Sequence, residues 1–436
     1  MKALRGRWSR INRSKFARNF LSLLKANLFG QFLLLAAMPI LTRFYTPAEF
    51  GVLAVFTSLL TTAESVCVWR FDKAMPNARS LGGAAALMAS GGLVLLVVTA
   101  LAGVAVYVVP GPLEHLQGYR TLGELGTLLP VAILLSGLRL LLQAWFVRTS
   151  EMRHPSRARI AHTVGYLLVC FAMVWLGQLG SGLVLATTIA LVAACVVLVA
   201  GAGADLLSAV RRVSPKRWWT TSRAALGFTS EATVVGFVNM VSLALPILLL
   251  SQLYDAASLG LYALLYSMII VPARTFTSAL AMSFWARAAE LARGARHARL
   301  RGLYLRISGV MFLGAVVVAL GCLASPLFLV PLLGREWVGA DDVLIRMIPL
   351  IVGVVVFSPT NHLVVLKLQL LQLVPDGSRI ALMLVSYWLA REQSWPFETA
   401  VLAIACSSLV GHVGLFFSHF VAYRIRARRA SLAGTR

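Results

Sequence analysis

The sequence predicts an all-α polytopic membrane protein of about 12 transmembrane helices, arranged as two pseudo-symmetric six-helix bundles. Three observations predict it. Of the 436 residues, 59% are hydrophobic and only 13% are charged, and the mean hydropathy is +0.82. Apolar runs of about 20 residues recur along the chain, each long enough at roughly 1.5 Å per residue to cross about 30 Å of hydrocarbon. Finally, the basic residues cluster between alternate runs. The 40 Lys and Arg against 16 Asp and Glu give a net charge of +24, but a chain this apolar is not a nucleic-acid binder, a disordered segment or a secreted disulfide module.

From the amino terminus, the tail 1–20 is basic and free of acids. It lacks a small-residue cleavage site and reads as a retained cytoplasmic tail. Apolar runs at 21–41, 50–69, 84–109, 125–147, 160–177 and 183–204 make a first bundle over 21–204. A basic linker at 205–225 follows. Runs at 226–250, 259–282, 305–333, 344–366, 368–390 and 399–421 make a second bundle over 226–421, and a basic tail closes the chain at 422–436. The eleventh run is interrupted by Pro375-Asp376-Gly377. Cys67, Cys170, Cys195, Cys322 and Cys406 lie inside apolar runs without metal-ligand spacing, so they read as small core residues and no metal site is expected.

Sorted by connection, with Lys25, Arg306 and Arg346 near the run ends counted with the adjoining tail or loop, 32 of the basic residues belong to the two tails and the even-to-odd loops, 5 to the opposite side and 3 to the spans, whereas the acids divide 4, 9 and 3. Positive charge favours the cytoplasm, so both termini are expected there. The basic loops are also suited to anionic phospholipids.

The chain repeats itself. The stretch Tyr45-Thr46-Pro47-Ala48-Glu49-Phe50-Gly51 returns 209 residues later as Tyr254-Asp255-Ala256-Ala257-Ser258-Leu259-Gly260, each after a Pro-Ile-Leu. Pro155, Arg159, Ile160 and Ala161 return as Pro375, Arg379, Ile380 and Ala381. Six spans per repeat is an even number, so the halves enter the membrane from the same side, as in transporters built from parallel repeats around a central cavity.

An ionisable group inside a span costs roughly 2.5–3.5 kcal/mol to insert and needs a partner or a wet cavity. Glu64 lies about 20 Å below Gly51 along its helix, Arg274 about 21 Å below Gly260, Arg139 about 22 Å below Glu124 and Glu231 about 22 Å below Pro246. These four charges fall in one layer. They read either as a cavity lining that meets an anionic head group and carries coupling protons or Na+, or as ion pairs that only hold helices together. Asp376 and Arg379 can pair on one helical face. Asn27 and Gln31, like Asn239 and Ser242, sit at helical spacing and suit interhelical hydrogen bonds or substrate contact. No phosphate loop, HExxH or nucleophile elbow is present, so neither enzymatic activity nor a cofactor is expected.

The stretch from Pro39 through Arg43, Tyr45, Pro47 and Glu49 to Gly51, together with Trp69-Arg70-Phe71-Asp72-Lys73-Ala74, Leu259-Gly260-Leu261-Tyr262 and Leu333-Gly334-Arg335-Glu336-Trp337, resembles the Wzx-type polysaccharide biosynthesis proteins. These are the lipid-linked oligosaccharide flippases of the multidrug/oligosaccharidyl-lipid/polysaccharide exporter superfamily. The resemblance runs from about residue 20 to 423. It implies a MATE-like fold and transfer of an undecaprenyl-diphosphate-linked oligosaccharide, an O-antigen, capsule or exopolysaccharide unit, to the periplasmic leaflet by alternating access, with polysaccharide polymerase or export machinery as further partners. Arg43, Tyr45, Pro47, Glu49, Gly51, Arg70 and Asp72 are the matched motif positions, and Asp72 stands where the family more often has glutamate. Arg139, Arg274, Arg70 and Asp72 are the expected substrate contacts; Glu64, Glu231 and Asp376 are the expected coupling groups. A cation-coupled multidrug exporter of the same fold is the main alternative, and a non-transporting scaffold for polysaccharide assembly is another.

Overall fold

The computed structural model describes residues 26–108, 120, 122–273, 284, 288, 291, 297–357, 362–363, 366 and 368–434. Among them there are helices and turns but no strand. Twelve principal helices are designated α1 (Ala26–Leu41), α2 (Pro47–Glu64), α3 (Leu81–Val108), α4 (Gly123–Thr149), α5 (Arg153–Trp175), α6 (Leu179–Arg211), α7 (Pro215–Leu250), α8 (Ala256–Ala273), α9 (His297–Leu323), α10 (Ile348–Phe357), α11 (Leu373–Glu392) and α12 (Phe397–Gly434). Eight of these helices are long and apolar enough to span a bilayer, with α1 and α10 shorter apolar helices. The protein is therefore a multi-pass membrane protein. α2 and α11 have the length, at 18 and 20 residues, but each carries intramembrane charge that lowers its mean hydropathy.

Helix ends follow local chemistry. Thr46 precedes α2, Pro47 occupies the first helical position, where a missing N–H costs nothing, and the Glu49 carboxylate accepts the Thr46 N–H at 2.7 Å. Ser80 caps α3 by accepting the Gly83 N–H at 3.1 Å, and Asp255 caps α8 by accepting the Ser258 N–H at 3.3 Å. In α8 a π turn over Tyr266–Ile270 ends with only Val271 between it and Pro272; the wider turn accommodates a residue that cannot donate and whose ring crowds the preceding carbonyls.

Four predicted spans are corrected. The second ends at Glu64 instead of residue 69, because Trp69 and Arg70 both adopt positive φ, at 46° and 52°. The ninth ends at Leu323; Pro326 then restarts the chain as a 3-10 turn over Ser325–Leu327, and a short helix follows at Leu329–Leu333. The tenth divides into Ala340–Arg346 and α10 around Met347, ahead of Pro349. In the eleventh, Pro375-Asp376-Gly377 does not interrupt the helix but lies in its first turn, where the absent proline N–H has no intrahelical partner to lose. Gly203, at φ 52° and ψ −154°, kinks α6 where the sixth run is expected to end; the chain then continues helically to Arg211, and only 212–214 separate it from α7, so most of the stretch read as a linker at 205–225 is helical.

The described residues fall into two compact units, one built from Met1–Leu41 with Leu59–Val234, the other from Thr42–Ser58 with Val235–Arg436. In the first unit α5 packs along α6 and α3 along α4, around Leu142, Phe146, Ala158, Ala194 and Leu198. In the second, α12 packs against α10 and α11, and Leu300, Tyr304, Leu363, Leu366 and Leu415 form a core. Outward faces stay apolar: Leu96, Val97 and Leu101 on α3 and Leu313, Val317 and Leu320 on α9 are all at least half exposed, as surfaces solvated by lipid require.

Candidate functional site

The first unit holds an ion pair within its spans. Glu64 is the last residue of α2, and Arg139 is near the middle of α4; the Arg139 Nη2 donates to the Glu64 Oε1 at 2.6 Å. The two side chains retain 21% and 20% of their accessible surface. Two unlike charges at this distance attract strongly where water is scarce, yet both remain reachable by a further charged group. The Arg139 Nε is buried and has no hydrogen-bond partner among the described residues, so the guanidinium keeps unused donor capacity.

Just past Glu64 the chain turns through Trp69 and Arg70 in the left-handed region, which costs a non-glycine residue roughly 1–2 kcal/mol. The turn aims the Trp69 indole N–H at the Ser230 hydroxyl, 3.1 Å away, and starts a short helix, Phe71–Ala74, that buries Asp72. Asp72 Oδ2 lies 3.3 Å from Lys73 Nζ, and its Oδ1 is buried without a hydrogen-bond partner among the described residues. Such strain at a charged, partly buried turn marks a place where geometry is held by its surroundings.

The second unit holds a buried polar network. In α11, Arg379 Nη2 lies 3.0 Å from Asp376 Oδ1 and also donates to the Ser242 hydroxyl of α7. Asp376 Oδ2 accepts from the side-chain amides of Asn239 at 3.2 Å and Gln372 at 3.1 Å. His412 of α12 places Nδ1 2.8 Å from the Ser408 carbonyl and Nε2 3.4 Å from Arg379 Nη1. A carbonyl only accepts, so Nδ1 carries the proton and Nε2 presents its lone pair to the guanidinium. Ser242, Asp376, Arg379 and His412 are all at least 95% buried. Gly411 makes room for the arginine: a Cβ there would meet the Arg379 side chain, and one at Gly353 would lie 3.1 Å from the His412 ring.

Of the predicted site residues, Glu64 and Arg139 are brought together, whereas Arg274 lies outside the described residues. Glu231 is half-buried on α7 and forms no ion pair with a described residue. Asp376 is joined to the Asn239 and Ser242 pair that the sequence left separate. His412, which completes that network, was not foreseen, since a lone histidine in an apolar run carries no sequence signal.

The motif positions 43–51 form a joint within the second unit. Arg43 Nη2 donates to the Pro331 carbonyl at 3.1 Å, and Tyr45 is fully buried. The Trp337 indole donates to the Thr42 carbonyl at 3.1 Å and meets Phe50 edge-on at 5.3 Å. A Cβ on Gly51 would collide with the Ala256 carbonyl, and one on Gly260 with the Pro47 carbonyl. Residues 47 and 256, like 51 and 260, are partners under the 209-residue repeat, so the repeated glycines let α2 and α8 cross reciprocally, backbone to backbone.

The family model described as Polysaccharide biosynthesis protein matches residues 40–342. No curated protein matches the chain. Among solved structures it is similar to an inward-facing multidrug resistance MATE family transporter of the MOP superfamily, with a TM-score of 0.69 at 11% identity, covering 93% of this chain and 96% of that one. It is similar to the lipid II flippase MurJ in an inward closed conformation, with a TM-score of 0.66 at 11% identity, covering 93% and 90%. A MOP superfamily transporter from Pyrococcus furiosus gives 0.58 at 12% identity, covering 93% and 95%. Likeness at these identities establishes the MATE- and MurJ-like fold.

Proposed function

The chain belongs to the polysaccharide biosynthesis protein family, and from that membership we propose that it is a flippase. Its substrate is an undecaprenyl-diphosphate-linked oligosaccharide, moved by alternating access from the cytoplasmic to the periplasmic leaflet of a bacterial inner membrane, with both termini in the cytoplasm. The observation that carries the reading is the Arg139–Glu64 pair, 2.6 Å apart and one-fifth exposed. A diphosphate entering the membrane pays a large desolvation cost, which a fixed guanidinium offsets with opposite charge and directed N–H donors. Glu64 is then the partner that Arg139 holds when no substrate is bound, and the two anions compete for one cation. Arg70 and Asp72, on the strained turn beyond Glu64, are proposed second contacts to the same substrate.

Competition of this kind supplies a coupling step. When substrate displaces Glu64, the freed carboxylate, left in a low-dielectric site, takes up a proton, and it gives the proton back when Arg139 returns. Glu64 is therefore the leading coupling group and Glu231 a second. Asp376 is the weakest, because Arg379, Asn239 and Gln372 already satisfy its carboxylate. The test is translocation of a fluorescent undecaprenyl-diphosphate oligosaccharide in proteoliposomes. Arg139→Ala is expected to abolish transfer while leaving the protein folded, and full activity of that variant would overturn the reading.

A further inference from the structure

A cavity of about 390 Å³ opens in the first unit, away from the charges described above, lined by the start of α3, the end of α4, the second half of α6 and the start of α7. Its volume lies in the range of small-molecule sites. The floor is aromatic and apolar: Trp145, Phe146 and Ala202 line it, with His154 stacked on Phe146 at 4.8 Å. Its charged lining residues are Arg212, Arg217 and Glu151.

Arg217 is exposed but tied to the start of α3. Its Nη2 donates to the Ser80 hydroxyl at 2.7 Å, and a Cβ on Gly82 would stand 2.9 Å from its guanidinium. The arginine therefore lies across the amino end of α3, where backbone N–H groups and the helix dipole also favour an anion. Arg212 is exposed on the same lining. Glu151 is the one acid, with its Oε2 4.0 Å from His154 Nε2. Trp219 and Leu207, 60% and 53% exposed on α7 and α6, place this region at the level where tryptophans and long apolar side chains meet head groups. It lies on the face that the basic residues assign to the cytoplasm.

We propose that this cavity binds a phosphodiester whose alcohol carries a free hydroxyl, the chemistry of a phosphatidylglycerol-type head group, independently of the flipping reaction. Two guanidiniums against one carboxylate leave a single net positive charge, which matches a monoanionic phosphodiester and not the more highly charged diphosphate. Arg212 and Arg217 take the phosphate oxygens, Glu151 accepts from the hydroxyl, and the aromatic floor receives the glycerol and the head of the acyl chains. A basic pocket among helix ends on the cytoplasmic side is suited to such recognition.

The test is native mass spectrometry of the full chain in detergent, titrated with dihexanoyl-phosphatidylglycerol. Affinity is expected to fall on the order of tenfold for each of Arg212→Gln and Arg217→Gln, with Arg223→Gln, outside the lining, unchanged. An equal loss in Arg223→Gln, or retained affinity in the Arg212→Gln/Arg217→Gln double variant, overturns the proposal. Two competitors identify the source. Displacement by free glycerophosphoglycerol at equal concentration supports a phosphodiester site open to soluble ligands, and its failure with phosphatidylglycerol still bound supports a lipid site. Inorganic pyrophosphate competing more strongly than either overturns the charge argument. Glu151→Gln is a second variant that keeps both arginines: it is expected to raise pyrophosphate binding, and no change there contradicts the role given to the carboxylate.

Discussion

Arg379 serves three acceptors on three helices: Asp376 on its own, Ser242 on α7 and His412 on α12. Removing one partner from a buried charged network leaves the others desolvated and unpaired. Arg379→Ala is therefore expected to destabilise the protein by about 3–5 kcal/mol, read as a shift in unfolding midpoint, while exposed Arg391→Ala shifts it little. The Asp376→Asn/Arg379→Gln double variant should lose less than the sum of its parts, because neither residue then strands the other. Tyr254 offers a pH test outside the spans. Burial, reinforced by the nearby Glu398 carboxylate, raises its pKa above the ordinary value of 10.0, and its hydroxyl donates to the Trp395 carbonyl at 2.8 Å. A raised pKa means a contribution that is complete below pH 10 and lost as pH climbs through the folded value. Tyr254→Phe should thus lower stability at neutral pH and flatten its decline at high pH, checked by unfolding across that range. At this scale the sequence was partly legible. The common depth of Glu64 and Arg139 followed from helical rise, fixed at about 1.5 Å per residue, but which of the four charges in that layer meet did not. The Arg379 network did not, because Ser242 and Arg379 are 137 positions apart and only packing brings them together.

Helix boundaries and crossings show the same division. Apolar runs located most of the helices, but the positive φ of Trp69 and Arg70 had no sequence signal, so the second span was read five residues too long. Arg70→Gly separates strain from function: glycine adopts this φ freely, so stability should rise by about 1 kcal/mol. Translocation should nevertheless fall if Arg70 touches substrate, a pairing seen by comparing unfolding with transfer. The repeat was visible in the sequence, whereas its purpose became clear only at the α2–α8 crossing. Gly51→Ala and Gly260→Ala each push a methyl group into a carbonyl of the other helix. Each should cost about 1–3 kcal/mol, and the double variant should cost less than the sum, because one separation of the helices relieves both clashes.

For the molecule as a whole, composition fixed the all-helical membrane class, and the basic loops predict a direction in the bilayer. In a cysteine-free background, a cysteine at Lys216 should react with an impermeant maleimide only from the cytoplasmic side, and one at Asp342 only from the other; the reverse pattern would invert the topology. The central claim is that Arg139 exchanges Glu64 for a diphosphate. It is tested most directly by the affinity of the purified protein for an undecaprenyl-diphosphate oligosaccharide in Glu64→Gln and Arg139→Gln. Exchange predicts opposite signs: binding tightens when the competing carboxylate is neutralised and weakens on the order of tenfold or more when the guanidinium is lost. An equal loss in both variants would mean that the pair only holds α2 to α4, and would contradict the account.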